Sequence, residues 1–461
     1  MKNLKRVIAL VLSVSALLSF VACDGAGASS EKFYNSEREG AESVFSDLEI
    51  KGNEFDVELE NKTIRWFGFY GPENSPDIAP AIQIFKDRFG GEIVYENVSW
   101  ADWGDKLANL VISGDPPDIT PKDDTIFPSG ISAGHYEPLN DYIDLESPLW
   151  EGIADVIEQY KWNGNYYYFP WQKSLGQVLH YDRDLIDELG FDDPYELYLE
   201  GKWDWNAFSE MVYEFADLRN DMGENVWGYT GTGMTTSNFV ATTGKSLVAV
   251  GDDGSLKHNI YDKEVERAID FLTDMKNDGV ISSYQSDAPL ADGKILFYGW
   301  GIYILGGYKE ALPEKDLFFV PYPRDPNSET YYTPGGSFGY MVINGAKNIE
   351  GAVAFLNCCR LMMTDDEYLA LFKDFYINGT ATTKGSGFSD EQFAFMMDLS
   401  EGAVELVVDV SLGFSEEIRN NITEMYDVAY NPGATESWQT IRGKYEAAIQ
   451  AEINQYNDFL K

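Results

Sequence analysis

Trp438 and Arg442 stand four residues apart near the end of a 461-residue chain and share one helical face with Tyr445 and Ile449. An indole face beside a guanidinium suits a flat solute rimmed with hydroxyls, and an arginine in such a stripe needs a ligand or a carboxylate as partner. The same stripe also serves for packing on the body of the protein. With 29 Tyr, 27 Phe and 11 Trp in the chain, most aromatic rings must be core. Groups for metal chemistry are scarce: His135, His180, His258, Cys23, Cys358 and Cys359 show no CxxC or HExxH spacing, so no metal site and no cofactor are expected. With 77 acidic residues, some carboxylate pair will meet the roughly 5–10 Å spacing of a glycosidase by accident. No nucleophile elbow, triad spacing or phosphate loop accompanies them, and the chain reads as a binding protein rather than an enzyme. Adjacent Cys358 and Cys359, flanked by Leu356 and Met362, read as buried thiols rather than a strained disulfide.

The elements that must position such groups alternate. Thr63 to Phe69 is a strand signal, and Ile78, Ile82, Phe85 and Phe89 then recur at spacings of four, three and four, the period of an amphipathic helix that Gly90-Gly91 ends. Glu92 to Val98 is β-prone; Ser99-x-x-Asp102 opens a helix carrying Trp103, Leu107, Leu110 and Val111, and Asp115-Pro116-Pro117-Asp118-Ile119 leads into another strand. This alternation predicts an α/β fold with mostly parallel sheets flanked by helices. Ligands of such sheets sit beyond the carboxyl ends of the strands. Tyr70, Glu73 and Asn74 on one loop, and Asp123 and Asp124 on the loop that starts at Pro121, fall there.

A chain this long exceeds a single hydrophobic core, so two lobes are expected. Its formal charge of −43 repels phosphate backbones and excludes nucleic acid as a partner. At the N-terminus Lys2, Lys5 and Arg6 precede an apolar run from Val7 to Leu18, too short and serine-interrupted for a membrane span, and Phe20-Val21-Ala22-Cys23 follows. That arrangement predicts export, and the cysteine after Ala22 resembles a bacterial lipobox, with Phe20 where leucine is preferred. Cys23 would then carry a diacylglycerol anchor, and residues 23–61, acidic and rich in Gly and Ser, would form a flexible tether.

Several segments in order resemble one family, the bacterial extracellular solute-binding proteins of ABC importers, of the type that includes maltose-binding protein. Ser113-Gly114-Asp115-Pro116-Pro117-Asp118-Ile119 is similar to its "sGd-PDi" turn, Glu137-Pro138-Leu139 to its "pL" loop, and Tyr166 to Pro170 to its hinge strand. His180-Tyr181-Asp182-Arg183-Asp184-Leu185 resembles "l-YN-dlf" with Asp182 for asparagine. Trp203-Asp204-Trp205 resembles "WtWdeF", and Gly293 to Trp300 "GkaAM-GW". The similarity runs from about Thr63 to Tyr456.

The resemblance implies a two-lobed periplasmic-binding-protein fold with the ligand in the cleft, closed by hinge motion. It divides the chain into 62–170 plus 333–395 for lobe one and 171–332 plus 396–461 for lobe two. It implies a monomer on the outer face of the cell membrane that captures a sugar or oligosaccharide and delivers it to permease subunits; a polyamine, a peptide or ferric ion are the alternatives. Trp300 is placed by the motif at the cleft, with core packing as its other reading. Trp438 and Arg442 look like a sugar-facing pair, and Tyr70, Glu73, Asn74, Asp123 and Asp124 match cleft loops. Trp171 and Gln172 follow the hinge strand. Ser337, after Gly335-Gly336, marks either close backbone approach to a ligand or a tight turn. Trp100 and Trp103 read as helix-anchoring core, with a lid over the cleft as their other reading.

Overall fold

A computed structural model describes residues 31–33, 53–71, 78–121, 127–223, 226–251, 253–282, 288–379 and 385–459. The first elements are β1 (Glu31–Phe33), β2 (Thr63–Gly68), α1 (Ala79–Phe89), β3 (Glu92–Asn97), α2 (Trp100–Ser113) and β4 (Ile119–Pro121). Gly90 closes α1 at a φ of 65°, which a side chain would resist, and Ser99 opens α2 by accepting the Asp102 N–H. β2 lies parallel to both β3 and β4, as the alternation predicts.

The motif residue Asp118 fixes that register. Its N–H donates to the Arg65 carbonyl at 2.9 Å, while its carboxylate accepts the Arg65 N–H at 2.8 Å and the Asn348 N–H at 3.2 Å. One buried side chain thus ties the inner edge of β2 to the start of a helix more than two hundred residues later.

β5 (Phe169–Leu175) and β6 (Val178–Asp182) are separated only by Gly176 and Gln177 yet belong to different sheets. There follow α3 (Trp205–Leu218), β7 (Trp227–Gly231), α4 (Thr235–Ala241), α5 (Lys263–Asn277), β8 (Ile281–Ser282), β9 (Ile295–Trp300) and β10 (Leu317–Val320). The second sheet has the order β8-β7-β9-β6-β10, with β7 parallel to β8 and β9 and β6 antiparallel to β9 and β10. β11 (Tyr332–Val342) returns to the first sheet, pairing antiparallel with β4 and β5. After α6 (Ile349–Thr364), α7 (Asp366–Asn378) and α8 (Asp390–Asp398), β12 (Glu405–Val407) pairs with the start of β11. The chain finishes in α9 (Glu416–Tyr430) and α10 (Trp438–Asp458). The first sheet therefore reads β1-β3-β2-β4-β11-β12, with β5 also on β11. Two α/β lobes joined by three adjacent passages of chain result, the two-lobed architecture expected.

Each lobe is filled by interlocked rings. In lobe one Trp66 meets Tyr340 at 4.6 Å, and Tyr340 meets Trp171 at 4.9 Å and Phe355 at 5.8 Å. In lobe two Phe208 packs on Tyr229, Phe239 and Phe297. Cys358 and Cys359 are buried on α6 and form no disulfide.

Three details differ from the sequence-based division. Phe55 and Leu59, inside the span expected to be tether, are buried, and Arg88 donates to the Phe55 carbonyl, so lobe one starts before residue 62. Apolar residues in an otherwise acidic run have found a surface to cover. Pairing with β11 holds the chain in the first sheet past Pro170 as far as Leu175. And α8 bridges the lobes: Phe395 packs on Phe318, Phe319 and Tyr195 of lobe two, whereas Phe393 touches Phe372 and Tyr376 on α7.

Candidate functional site

At the carboxyl end of β9, Trp300 pairs with Val178, beside the chain passage at Gly176 and Gln177; solutes of such sheets sit beyond the carboxyl ends of the strands, which makes this the candidate cleft. On the lobe-two side β9 ends in half-buried Trp300, which stacks on Tyr298 at 5.9 Å with planes 6° apart. Its indole N–H donates to the Tyr303 hydroxyl at 3.0 Å, and Tyr303 is 73% exposed. A broad aromatic shelf is thereby held flat.

Beneath the shelf lie Gly231 and Gly299, paired across β7 and β9. A Cβ on Gly299 would come 2.6 Å from the Tyr322 hydroxyl and 2.7 Å from that of Tyr229, so glycine is needed to let two buried tyrosines reach under the floor. Burial pushes the Tyr229 and Tyr322 hydroxyls well above their usual range, keeping them protonated and able to donate. Gln177, between β5 and β6, joins this floor. Its carbonyl oxygen accepts from Asn238 Nδ2 at 2.9 Å and from the Thr232 hydroxyl at 3.1 Å.

His180 sits on β6 opposite Tyr298. Its Nε2 lies 3.2 Å from the Gly301 carbonyl, so that nitrogen carries the proton, and burial lowers its pKa from 6.5 to about 4, against a smaller upward pull from its backbone hydrogen bonds. The unfolded chain binds a proton there near pH 6.5 and the folded chain only near pH 4. Stability contributed by neutral His180 is therefore full above pH 6.5 and lost as the pH falls toward 4, by about 3 kcal/mol. Urea unfolding at pH 7 and pH 4.5 should show a smaller acid loss in His180→Gln than in the wild type, by about 2 kcal/mol; equal losses would contradict the assignment.

On the lobe-one side Tyr70 is half-buried just past β2, edge-on to Phe69 at 5.2 Å and to Trp66 at 6.4 Å. Phe338 is 44% exposed and stacks on Trp171 at 6.2 Å. The pairing of Tyr340 with Pro121 places Phe338 just beyond the carboxyl end of β4, where the cleft begins. Trp100 opens α2 and is 64% exposed, unlike the core position expected for it, because the helix starts past the end of β3 and turns only Trp103 inward, onto Thr120.

Of the residues singled out from sequence, Tyr70 lies just past the carboxyl end of β2 and Trp300 ends β9, both half-buried. Glu73, Asn74, Asp123, Asp124 and Cys23 lie outside the described residues. Trp171 is buried in the lobe-one core, where it supports Phe338 from behind, and Gln172 is buried 3.6 Å from the Met397 sulfur. Ser337 is occupied by Tyr168, whose hydroxyl donates to its carbonyl at 2.8 Å. Trp438 is buried, and Arg442 lies over the Tyr261 ring at 4.7 Å and 3.6 Å from Glu266 on α5. The carboxylate that the arginine required is thus within the protein, on the body of lobe two.

Sequence reasoning passed over Phe338, Tyr303, Gln177, Thr232 and Asn238. Phe338 and Tyr303 had a signal, each an aromatic beside a glycine-bearing segment already singled out; Gln177 had none, since one glutamine in a strand-prone run carries no pattern. Among the described residues no three His, Cys, Asp or Glu gather as a metal ion would need, and no helix is long and apolar enough to cross a membrane.

The sequence profile of a family described as bacterial extracellular solute-binding protein matches residues 80–397. No curated protein matches the chain. Solved structures share its fold. An ABC substrate-binding protein from Listeria monocytogenes in complex with cycloalternan is 18% identical, with a TM-score of 0.58 over 87% of this chain and 99% of that one. The GacH receptor of Streptomyces glaucescens, solved unliganded and with acarbose, is 15% identical with a TM-score of 0.59 over 85% and 98% of the two chains. UgpB from Mycobacterium tuberculosis, in complex with glycerophosphocholine, is 16% identical with a TM-score of 0.61 over 85% and 100% of the two chains.

Proposed function

The chain belongs to the bacterial extracellular solute-binding family, and from that premise we propose that it is the exported capture component of an ABC importer, closing its two lobes around a sugar or oligosaccharide and passing it to membrane permease subunits. The observation that carries this reading is the pair of aromatic supports facing the cleft from opposite lobes, Trp300 on Tyr298 and Phe338 on Trp171, above a floor of neutral amides and hydroxyls. Flat rings cover the C–H faces of a pyranose, and neutral donors and acceptors match its hydroxyl rim. Structural neighbours solved with cycloalternan and acarbose support the same class of solute.

The described residues within 53–175 and 332–379 make up lobe one, those within 178–331 and 408–459 lobe two, and 385–407 bridge them. Diacylation of Cys23 holds the monomer at the outer face of the membrane, and the chain performs no catalysis.

A thermal-shift and tryptophan-emission screen tests the reading. Cycloalternan, acarbose, maltotriose or β-1,6-galactobiose should raise the melting temperature, because each would bind only the folded state; a ligand at 100 times its Kd adds about 2.7 kcal/mol. No shift with any sugar, alongside a clear shift with glycerophosphocholine, spermidine or ferric ion, would overturn it.

A further inference from the structure

The hydrogen bonds under the lobe-two floor run in one direction. Asn238 Nδ2 has two hydrogens and two acceptors, the Gln177 carbonyl oxygen at 2.9 Å and the Tyr322 hydroxyl at 3.1 Å. With Tyr322 accepting, its own hydrogen goes to the Tyr229 hydroxyl at 3.1 Å, that of Tyr229 goes to Thr235 Oγ1 at 2.8 Å, and that of Thr235 ends on the Thr232 carbonyl at 2.9 Å. A carbonyl only accepts, so the terminus sets the polarity of the chain.

The Thr232 hydroxyl is committed in the same way, since it accepts the Met234 N–H at 3.0 Å and gives its one hydrogen to Gln177 at 3.1 Å. Both lone pairs of the Gln177 carbonyl oxygen are then used, and its amide cannot flip without facing two donors with a third. Its Nε2 points to the exposed side, where its single partner among the described residues is the Met234 sulfur at 3.5 Å, a weak acceptor. Gln177 lies between β5 and β6, one residue before Val178, which pairs with Trp300.

From this geometry we propose that Gln177 is a specificity-determining residue of the cleft, a donor-only amide locked by Asn238 and Thr232 that binds an acceptor oxygen of the captured solute beside Trp300. The proposal rests on the sugar reading for the identity of that oxygen, a hydroxyl, ring or glycosidic oxygen, and makes a further demand on its polarity. A cationic solute such as a polyamine has only donors to offer and is rejected at this position.

Gln177→Glu tests it, because the carboxylate is nearly isosteric and still accepts from Asn238 and Thr232 while losing both outward hydrogens. Titration calorimetry with acarbose and cycloalternan should show wild-type binding weakened at least 50-fold in Gln177→Glu, and about 5-fold in Thr232→Val, where the amide is no longer fixed. Equal affinity in Gln177→Glu and wild type would overturn the assignment while leaving the sugar reading intact. Spermidine bound by the wild type at least as tightly as by Gln177→Glu would overturn it from the other side. Silence of the wild type toward every sugar would sink the sugar reading alone, and the lock is still tested without any solute. The Gln177 side-chain amide, identified in ¹⁵N spectra by its absence from Gln177→Glu, should shift in both Thr232→Val and Asn238→Ala. An amide unmoved by either change would show that the lock does not exist.

Discussion

Trp300→Ala is expected to weaken sugar binding about 100-fold while leaving the protein folded. Truncating an aromatic anchor at the centre of a site costs about 2–3 kcal/mol or more, and 1.4 kcal/mol is tenfold in affinity. Trp300 has the features of such an anchor: Tyr298 fixes its ring from behind, and its indole N–H is already given to Tyr303, so only a flat face is presented outward. Because the residue is half-buried at the end of its strand, removing it opens no sealed cavity, and the melting temperature should fall by less than about 3 °C for a chain of this length. Calorimetry with acarbose, alongside a thermal melt of the same sample, checks both halves. Trp300→Phe should recover most of the affinity, since a smaller ring can still rest on Tyr298. If Trp300→Ala bound acarbose as tightly as the wild type, the aromatic shelf would be structural only.

How far the sequence reached differs between fold and site for a physical reason. Strand and helix periods are local, so the alternation from Thr63 to Ile119 and the stops at Gly90 and Gly114 were legible and are found where expected. Lobe boundaries are not local: whether Trp171 to Leu175 stays in the first sheet depends on β11, more than 150 residues away, and the β-prone run itself is silent on its partner. Side-chain roles divide the same way. Asp118 was visible as part of a turn motif, yet its two hydrogen bonds, from the Arg65 and Asn348 N–H groups, needed a distant strand and a distant helix start in place. Trp438 and Arg442 share a face as their spacing required, but helical spacing cannot tell a cleft from a neighbouring helix, and Glu266 and Tyr261 had the prior claim on the guanidinium. Gln177 owes its orientation to Thr232 and Asn238, more than fifty residues further on, and no window of sequence around it would have shown that.

Asp118→Ala should carry the largest stability cost, about 4 kcal/mol from lobe one. The carboxylate is the acceptor for two backbone N–H groups in a region where water does not replace it, and an orphaned buried donor costs about 1–3 kcal/mol. Burial pushes the Asp118 carboxyl above the usual carboxylate range, and the two N–H bonds and the Arg65 charge only partly offset that. Its value to the fold is therefore the placement of acceptors rather than a favourable charge. Asp118→Asn, which keeps one acceptor oxygen in place, should accordingly lose only about 1–2 kcal/mol, the size of a single such bond. Urea unfolding followed by far-UV circular dichroism separates the two variants; equal losses would mean that the charge, not the geometry, matters. The effect should extend to the cleft, because the Arg65 contact sets β4 against β2, and Tyr70 and the Pro121 end of β4 hang from that pairing. In Asp118→Asn, where the lobe still folds, a several-fold loss of acarbose affinity is expected without any change to a residue that faces the solute. Wild-type affinity in that variant would instead show that the cleft ends of β2 and β4 are held by their ring contacts with Trp103 and Tyr340 alone.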